Sequence, residues 1–412
     1  MDCLLVNSED NFWCQLRLLM QKLTYGLFFA LLSILLSSCL TDETNKEIVI
    51  QDFTSEEYAT LSEQLNIDRN IESISTVLPR HMRVNSSGNS SSIDARKALL
   101  GRVLFYDKQL SITGETSCAS CHLQSAAFAD PLAKSMGING QETKRNSLAL
   151  ASTPSFETSY GSSDNFGTFV GFFWDERAQT IAAQSIETIE NEIEMGHDVV
   201  ALAQQLNDQE MYRILSEKAF GRNNILSSSQ IVEALEVFTN SIISGSSRFD
   251  RLTDQEFFGE NANDEPTWTF QEQTGRSLYL QNCASCHSAD MSFPARAIAN
   301  NGLDVVGDDK GKGEIDGSQF DGMFKVPFLR NIELTAPYMH DGRFATLEEV
   351  IDHYSSNIQP HANLSNELRE TDGSPKRMNF TDEEKLALVA FLRSVTDDKL
   401  PFEERLSDPF KE

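Results

Sequence analysis

The sequence has few basic residues, and after residue 39 it has no cysteine pair left over for a structural disulfide. Its 34 lysines and arginines stand against 62 aspartates and glutamates, which gives a net charge of −28 at pH 7. Such a surface repels a phosphate backbone, so nucleic acid is excluded as a partner. Two interpretations stay open: a self-repelling soluble surface, which the charge alone favours, and a surface that attracts a basic protein.

Of the 7 cysteines, four lie in two copies of the pentapeptide CASCH, and the other three lie at or before Cys39. In a CxxCH unit two thiols on one turn reach the two vinyl groups of one porphyrin, and the histidine becomes an axial ligand of the iron. One copy alone could be a redox dithiol or half a zinc site. Two copies, each after a helical pattern, predict two covalently bound c-type haems. The attachment residues are Cys118, Cys121, His122, Cys283, Cys286 and His287.

An apolar run near the N-terminus has the pattern of an export signal. After Met20 a lysine is followed by apolar residues and then by "LSSC", which ends at Cys39. This order is typical of a secretory signal, and its end resembles a lipoprotein processing site, whereas the run is short for a transmembrane anchor. We therefore expect residues 1–39 to be a lipoprotein signal segment, and the sequence leaves open whether translation starts at Met1 or at Met20. A lipidated Cys39 would then attach the mature chain to a membrane.

Strand patterns are scarce, whereas helical periodicity precedes each CASCH copy and recurs near the C-terminus. Thr381 is the expected N-cap of the last helix, because Glu384 follows it three residues later. We predict two mostly helical modules in tandem, with a boundary near residues 257–267 and a flexible serine-rich joint at 85–92. The apolar helical positions are Leu99, Leu100, Val103 and Leu104, then Phe270, Gly275, Leu278 and Tyr279, and finally Leu386, Leu388, Val389 and Leu392.

From about Ile93 to the C-terminus the chain resembles the bacterial di-haem cytochrome c peroxidase family, which also contains the methylamine-utilisation enzyme MauG. The matching stretches include "LGRVLFYDKQLSITGETSCASCH", "KRNSLAL", "FFWDERAQTIAAQSIETIENEIEMG" and "FKVPFLRNIELTAPYMHDGRFATLEEVIDHY". The resemblance implies a mostly α fold of two tandem cytochrome c-like haem domains that reduces hydrogen peroxide in the periplasm. A polar N-terminal extension and tether (40–92) would precede an N-terminal peroxidatic haem domain (93–262) and a C-terminal electron-transfer haem domain (263–412).

The resemblance also assigns residues to the pocket of the first haem. Gln184 and Glu194 match a Gln and a Glu that line this pocket, and Glu194 would move a proton between the two peroxide oxygens. From the residues alone, Glu194 is one more charge in an acidic surface run. Trp174 matches a tryptophan between the two haems, with a plain core aromatic as the alternative. His197 is a rival base that we expect at the surface.

Two positions depart from the peroxidases of the family. Many members place a His in a loop that blocks the first iron until the second haem is reduced. The matching residue here is Ile138, which cannot bind iron, so we expect a five-coordinate first haem without reductive activation. Tyr354 matches the second ligand of the other haem, a Met in the peroxidases and a Tyr in MauG-like members. A core tyrosine is the alternative for Tyr354, and Met339 does not match the ligand position.

The resemblance further implies a calcium ion. Its oxygen ligands would come from Asn146, Thr335 and Pro337, which suits a hard cation. The acidic, glycine-rich stretch 307–317 lacks EF-hand spacing and is expected to be a solvated loop.

Three functions follow from these features. The first is a peroxidase that takes electrons from a small donor protein, such as a cytochrome c or cupredoxin, through the C-terminal haem to the N-terminal haem. The second is a MauG-like oxidase that uses high-valent haem iron to modify a protein substrate. The third is a non-catalytic electron carrier. Ile138, in place of the His that blocks the first iron in many members, argues against it. The sequence leaves the electron donor and the formation of a homodimer open.

Overall fold

The computed structural model describes residues 52–74, 79, 81, 93–151, 171–259, 267–291 and 295–411. The predicted signal segment with Cys39 and the serine-rich joint at 85–92 lie outside these residues. All described residues belong to one unit of the chain, Asp52–Glu412. Within them, no helix has the length and apolar character needed to cross a membrane.

The first half of the described chain is built from helices with polar N-caps. Asp94, for example, accepts hydrogen bonds from the backbone N–H groups of Arg96 and Lys97, which would otherwise lack partners. The helices are α1 (Ser55–Leu61), α2 (Ala95–Tyr106), α3 (Cys118–Cys121), α4 (Ile181–Glu190), α5 (Val199–Asn207), α6 (Glu210–Phe220) and α7 (Ser228–Ser241).

The second half repeats this helical character and adds a minimal sheet. The strands β1 (Ile298–Ala299) and β2 (Phe324–Lys325) pair antiparallel, with Ile298 opposite Lys325. The helices are α8 (Arg248–Phe258), α9 (Phe270–Asn282), α10 (Ala284–His287), α11 (Gly313–Asp316), α12 (Leu347–Asp352) and α13 (Asp382–Arg393). A π-helix, His353–Asn357, directly continues α12. The expected mostly helical chain is confirmed, as is the Thr381–Glu384 capping box of α13.

Two helix crossings repeat the same packing. Gly101 of α2 faces α7, where a Cβ on the glycine would stand 1.9 Å from the carbonyl oxygen of Ala234 and 2.7 Å from Cβ of Phe238. Gly275 of α9 faces α13 in the same way, with distances of 1.9 Å to the carbonyl oxygen of Ala387 and 2.8 Å to Cβ of Phe391. The absence of a side chain lets each helix pair approach closely, and the glycine-bearing helix of each pair precedes one CASCH unit. The same close crossing thus occurs once in each of the two predicted helical modules.

Two apolar clusters surround these crossings. The first contains Leu100, Val103, Leu104 and Phe238, and the second contains Trp268, Tyr279, Leu388 and Phe391. The two clusters do not coincide with the predicted modules 93–262 and 263–412. The α8 residues Phe249 and Leu252 belong to the second cluster, whereas Leu400 and Leu406 of the C-terminal tail belong to the first.

Two apolar positions of the predicted helices are not in a core. Phe270 is 85% exposed because it is the first residue of α9, ahead of the buried face. Leu386 is 55% exposed on the outer side of α13.

Part of the polar N-terminal extension packs against the first apolar cluster. Phe53, Leu61 and Leu65 are fully buried in the first cluster, and Asn66 donates its backbone N–H to Pro409.

Candidate functional site

A cavity of about 610 Å³ lies beside the first CASCH unit. Cys118, Cys121 and His122 line it together. His122 Nδ1 lies 2.9 Å from the backbone carbonyl oxygen of Phe128, and burial lowers the pKa of this imidazole. A neutral ring that donates from Nδ1 keeps its Nε2 lone pair for a metal, so this side chain fits a proximal haem ligand.

The second CASCH unit has the same arrangement around a smaller cavity of about 210 Å³. Cys283, Cys286 and His287 line it. His287 Nδ1 lies 3.1 Å from the carbonyl oxygen of Pro327, and burial lowers the pKa of His287 to about 4. The imidazole is thus neutral, as a haem ligand must be.

The alternative of a redox dithiol is disfavoured by the surroundings of the thiols. Burial raises the pKa of Cys118 to about 12, and it raises that of Cys283 to about 12. Redox cysteines are low-pKa thiolates near positive charge. Apolar burial instead suits thiols that are consumed by attachment to a hydrophobic macrocycle.

Gln184 and Glu194 line the same cavity as His122. Gln184 lies in the first turn of α4, and Glu194 lies in the turn after this helix, where its backbone N–H donates to the Asn191 carbonyl at 3.1 Å. Burial raises the pKa of the Glu194 carboxyl, and nearby Arg177 and Thr188 partly offset this rise. A carboxyl whose pKa is raised above its ordinary value is better suited to accept and return a proton than an ordinary surface glutamate.

His197 was expected at the surface, and this expectation is wrong. The side chain is buried, with Nδ1 3.0 Å from the Asp198 carbonyl oxygen and Nε2 3.4 Å from Gln205 Oε1. Its partners lie at the start of α5 and within it, and it is not among the residues that line the first cavity. The rival base therefore has no place beside Glu194.

Ile138 is buried beside the cavity without lining it. Its backbone N–H donates to Ile193 at 2.9 Å, and the preceding Gly137 leaves no room for a Cβ, which would stand 1.9 Å from the Ile193 carbonyl oxygen. The loop that carries Ile138 is thus hydrogen-bonded to the segment that carries Glu194. Its apolar side chain has no atom that could coordinate iron.

Trp174 lines both cavities, and so does Asn146. The indole ring centroid lies 6.4 Å from that of His340, whose ring stacks on Phe324 at 3.7 Å. The backbone N–H of Lys325 in β2 donates to the Trp174 carbonyl at 2.7 Å. The tryptophan is therefore fixed by its neighbours between the two attachment sites.

Tyr354 lines the second cavity together with His287. It lies on the π-helix that follows α12, and such wide turns often occur at functional sites. Burial raises the pKa of the phenol to about 12, while the amide of Asn301 acts in the opposite direction. Met339, which does not match the ligand position in the sequence, also lines this cavity.

The three residues predicted to bind calcium, Asn146, Thr335 and Pro337, all line the second cavity. The Asn146 amide nitrogen donates to the Leu132 carbonyl at 3.0 Å. Among the described residues no group of three or more His, Cys, Asp or Glu side chains could hold a metal ion. A cation here would depend on carbonyl and amide oxygens together with water.

Stretch 307–317 is not simply a solvated loop. It contains α11, and its Asp309 accepts two hydrogen bonds from Arg145, at 2.7 and 2.8 Å. Arg145 also donates to Asp175, next to Trp174. Sequence reasoning missed this contact and also missed Asn301, because the partners are far apart in the chain and carry no local pattern.

Comparisons with known proteins show what the chain is similar to. Residues 95–257 match the family model described as di-haem cytochrome c peroxidase. The methylamine utilization protein MauG of Methylorubrum extorquens is 30% identical over 311 residues, which cover 74% of this chain and 80% of that protein. The cytochrome c551 peroxidase of Nitrosomonas europaea is 28% identical over 320 residues, covering 75% and 82%.

Solved structures show the same relationship. The crystal structure of a MauG-like protein associated with microbial copper homeostasis superposes with a TM-score of 0.65 and 30% identity, covering 81% of this chain and 97% of that one. The di-haem peroxidase BthA from Burkholderia thailandensis has a TM-score of 0.61 at 22% identity, which indicates a shared fold.

Proposed function

Because the chain belongs to the di-haem cytochrome c peroxidase family, which includes MauG, we propose that it reduces hydrogen peroxide to water with electrons from a donor protein. It is an oxidoreductase of the cytochrome-c peroxidase type. One observation carries the proposal: Glu194 and Gln184 line the cavity that Cys118, Cys121 and His122 line. A haem attachment site and a proton-transfer group thus line the same cavity.

The first haem, when bound through Cys118 and Cys121, supplies an iron to which peroxide can coordinate. The chain's own residues handle the protons. The Glu194 carboxylate accepts the proton of the inner peroxide oxygen and returns it to the outer oxygen, which leaves as water. The Gln184 amide orients the peroxide by hydrogen bonding. Each peroxide takes up two electrons and two protons and yields two waters.

Electrons would enter at the C-terminal site and reach the N-terminal site past Trp174. The proposed modules remain residues 93–262 and 263–412. Helix α8 of the first module packs into the second apolar cluster, and the C-terminal tail of the second module packs into the first. We also propose calcium held by Asn146, Thr335 and Pro337, and a lipid anchor at Cys39 on the periplasmic side of the membrane. The electron donor would be a small cytochrome c or cupredoxin.

A MauG-like oxidase that modifies a protein substrate is the second candidate. Tyr354 in the second cavity favours it, because a tyrosine oxygen stabilises ferric and higher oxidation states relative to ferrous iron. Ile138 is compatible with both candidates, since both need a first haem that is open to peroxide.

Peroxide consumption with reduced cytochrome c as the donor tests the proposal. Fast turnover supports the peroxidase, whereas slow turnover with long-lived oxidised states supports the oxidase. If the holoprotein consumes no peroxide, only an electron carrier remains. The ferric protein should also bind cyanide and azide and show a high-spin EPR signal. Only low-spin signals, with no anion binding, would overturn the open first site.

A further inference from the structure

The side-chain amide of Asn301 lies between two side chains that could reach the second haem. Its Nδ2 is 3.4 Å from the Tyr354 hydroxyl oxygen and 3.4 Å from Met339 Sδ. All three residues line the second cavity together with His287. One amide nitrogen therefore contacts both a phenolic oxygen and a thioether sulfur in the lining of this cavity.

The residues before and after Asn301 are both held by hydrogen bonds. Asn300 donates its amide to the Gly322 carbonyl at 2.7 Å, and Gly302 accepts from the Gln359 N–H at 2.7 Å. The Asn301 carbonyl oxygen lies 3.0 Å from Nε2 of His353, which precedes Tyr354 on the π-helix. Asn301 thus contacts the π-helix through its side chain and through its backbone.

Met339 is also fixed in its direction. Its φ is +75°, a conformation that costs free energy for a residue with a side chain. The Gly342 N–H donates to the Met339 carbonyl at 3.2 Å and helps to hold this turn. The thioether is therefore presented to the cavity by the backbone, and its sulfur is a weak acceptor for the Asn301 amide.

We propose that Asn301 is a positioning residue that directs Tyr354, rather than Met339, to the iron of the C-terminal haem. An amide NH₂ group has two hydrogens, so it can donate to the phenolic oxygen and to the sulfur at once. A phenolic oxygen that binds a metal keeps a lone pair for the hydrogen bond from Asn301. The second hydrogen of the amide would hold the Met339 sulfur away from the iron. The inference rests on the proposed role of Tyr354 as ligand.

The test compares holoprotein variants by absorption, EPR and the midpoint potential of the C-terminal haem. Asn301→Leu removes both polar hydrogens and keeps the number and branching of the side-chain heavy atoms. We expect the tyrosinate charge-transfer band to weaken, a thioether-to-iron band to appear, and the potential to rise, because a Met ligand raises it. The double variant Asn301→Leu/Met339→Leu should lose the thioether band. Asn357→Leu, an exposed asparagine on the same π-helix, is the matched control and should leave all three readouts unchanged.

The outcomes separate this inference from the function it rests on. If Tyr354→Phe changes the spectrum and Asn301→Leu does not, the positioning role is overturned while the ligand role stands. If Tyr354→Phe leaves the spectrum unchanged, both roles fail, yet peroxide turnover can still support the peroxidase. Haem content reports on folding. Should Asn301→Leu fail to incorporate haem, the smaller Asn301→Ala, which also lacks a donor, is measured in its place, and an unchanged spectrum there would overturn the inference.

Discussion

The indole nitrogen of Trp174 donates a hydrogen bond to the backbone carbonyl of Asn146, 2.8 Å away. The N–H of Asn146 in turn donates to the carbonyl of His340 at 2.8 Å. Because Trp174 and Asn146 line both cavities, this chain of contacts fixes the orientation of an oxidisable ring between the two attachment sites. It also links that ring to a residue of the proposed calcium site.

Replacing Trp174 by Phe should slow electron transfer between the two haems without reducing haem content. Phenylalanine keeps an aromatic ring but is much harder to oxidise, and it leaves the Asn146 carbonyl without its donor. Stopped-flow reduction of the first haem by a donor protein measures the effect. Trp268→Phe is the matched control, because Trp268 is also buried but belongs to the second apolar cluster and not to the cavity lining. Equal rates in both variants would argue against the relay.

Replacing Glu194 by Gln should lower peroxide turnover by roughly 10²- to 10⁴-fold, the usual contribution of a positioned acid–base group. The amide keeps the shape of the side chain but cannot carry the proton. Absorption of the haems should stay as in the wild type. Glu192→Gln, two residues away on an exposed position, should retain full turnover. Wild-type rates in Glu194→Gln would remove this residue from the mechanism.

The pH dependence of turnover should carry the signature of Glu194. Burial raises the pKa of its carboxyl in the folded protein. The carboxylate form is needed to accept the first proton, so kcat/KM should fall as the pH drops through this raised pKa. The acid limb should thus lie above the range of an ordinary glutamate and disappear in Glu194→Gln. An acid limb that persists unchanged in the variant would assign it to another group.

The sequence predicts those parts of the molecule that depend on neighbours along the chain. The CASCH units, the helical periodicity around Gly101 and Gly275, and the Thr381 cap are local, and each lies where expected. Glu194, Gln184 and Trp174 were found through resemblance, since a glutamate in an acidic run has no distinguishing local pattern. The burial of His197 could not be predicted, because it depends on where the start of α5 packs.

Contacts between distant segments explain the remaining differences. Arg145 and Asp309 are 164 residues apart, and Asn301 and Tyr354 are 53 residues apart. Helical spacing relates residues three or four positions apart and does not indicate such pairs. The same reason applies to the C-terminal tail, where Leu400 and Leu406 return to the first cluster.

Gly275→Ala should destabilise the protein by about 1–3 kcal/mol or more, because the added Cβ would overlap the Ala387 carbonyl and force α9 and α13 apart. Gly101→Ala should have a similar effect at the crossing of α2 and α7. Denaturant unfolding followed by circular dichroism measures both. Gln273→Ala, on the exposed face of α9, is the control for helix propensity. If Gly275→Ala were as stable as this control, the close crossing would not be essential to the fold.

Lys325 should make stability rise with pH between about 8 and 10. Its buried ammonium donates to the Gly171 carbonyl at 2.5 Å, and burial lowers the pKa of Lys325 to about 8, with Glu176 acting in the opposite direction. An unfolded lysine keeps its proton up to about pH 10.4. Between these values the unfolded chain binds more protons, so the free energy of unfolding rises with pH, by up to roughly 3 kcal/mol at about 1.4 kcal/mol per unit.

Below pH 8 Lys325 is protonated in both the folded and the unfolded chain, so it does not make the free energy of unfolding depend on pH. The pH dependence is therefore confined to the range above pH 8. Unfolding midpoints of the wild type and Lys325→Met at pH 7, 8, 9 and 10 measure it. The wild type should gain stability relative to Lys325→Met across this series, because methionine fills the site without a charge to desolvate. Lys310→Met, whose side chain is 57% exposed, should follow the wild type at every pH. Parallel curves for the wild type and Lys325→Met would mean that the amine is already neutral at pH 7 or still charged at pH 10.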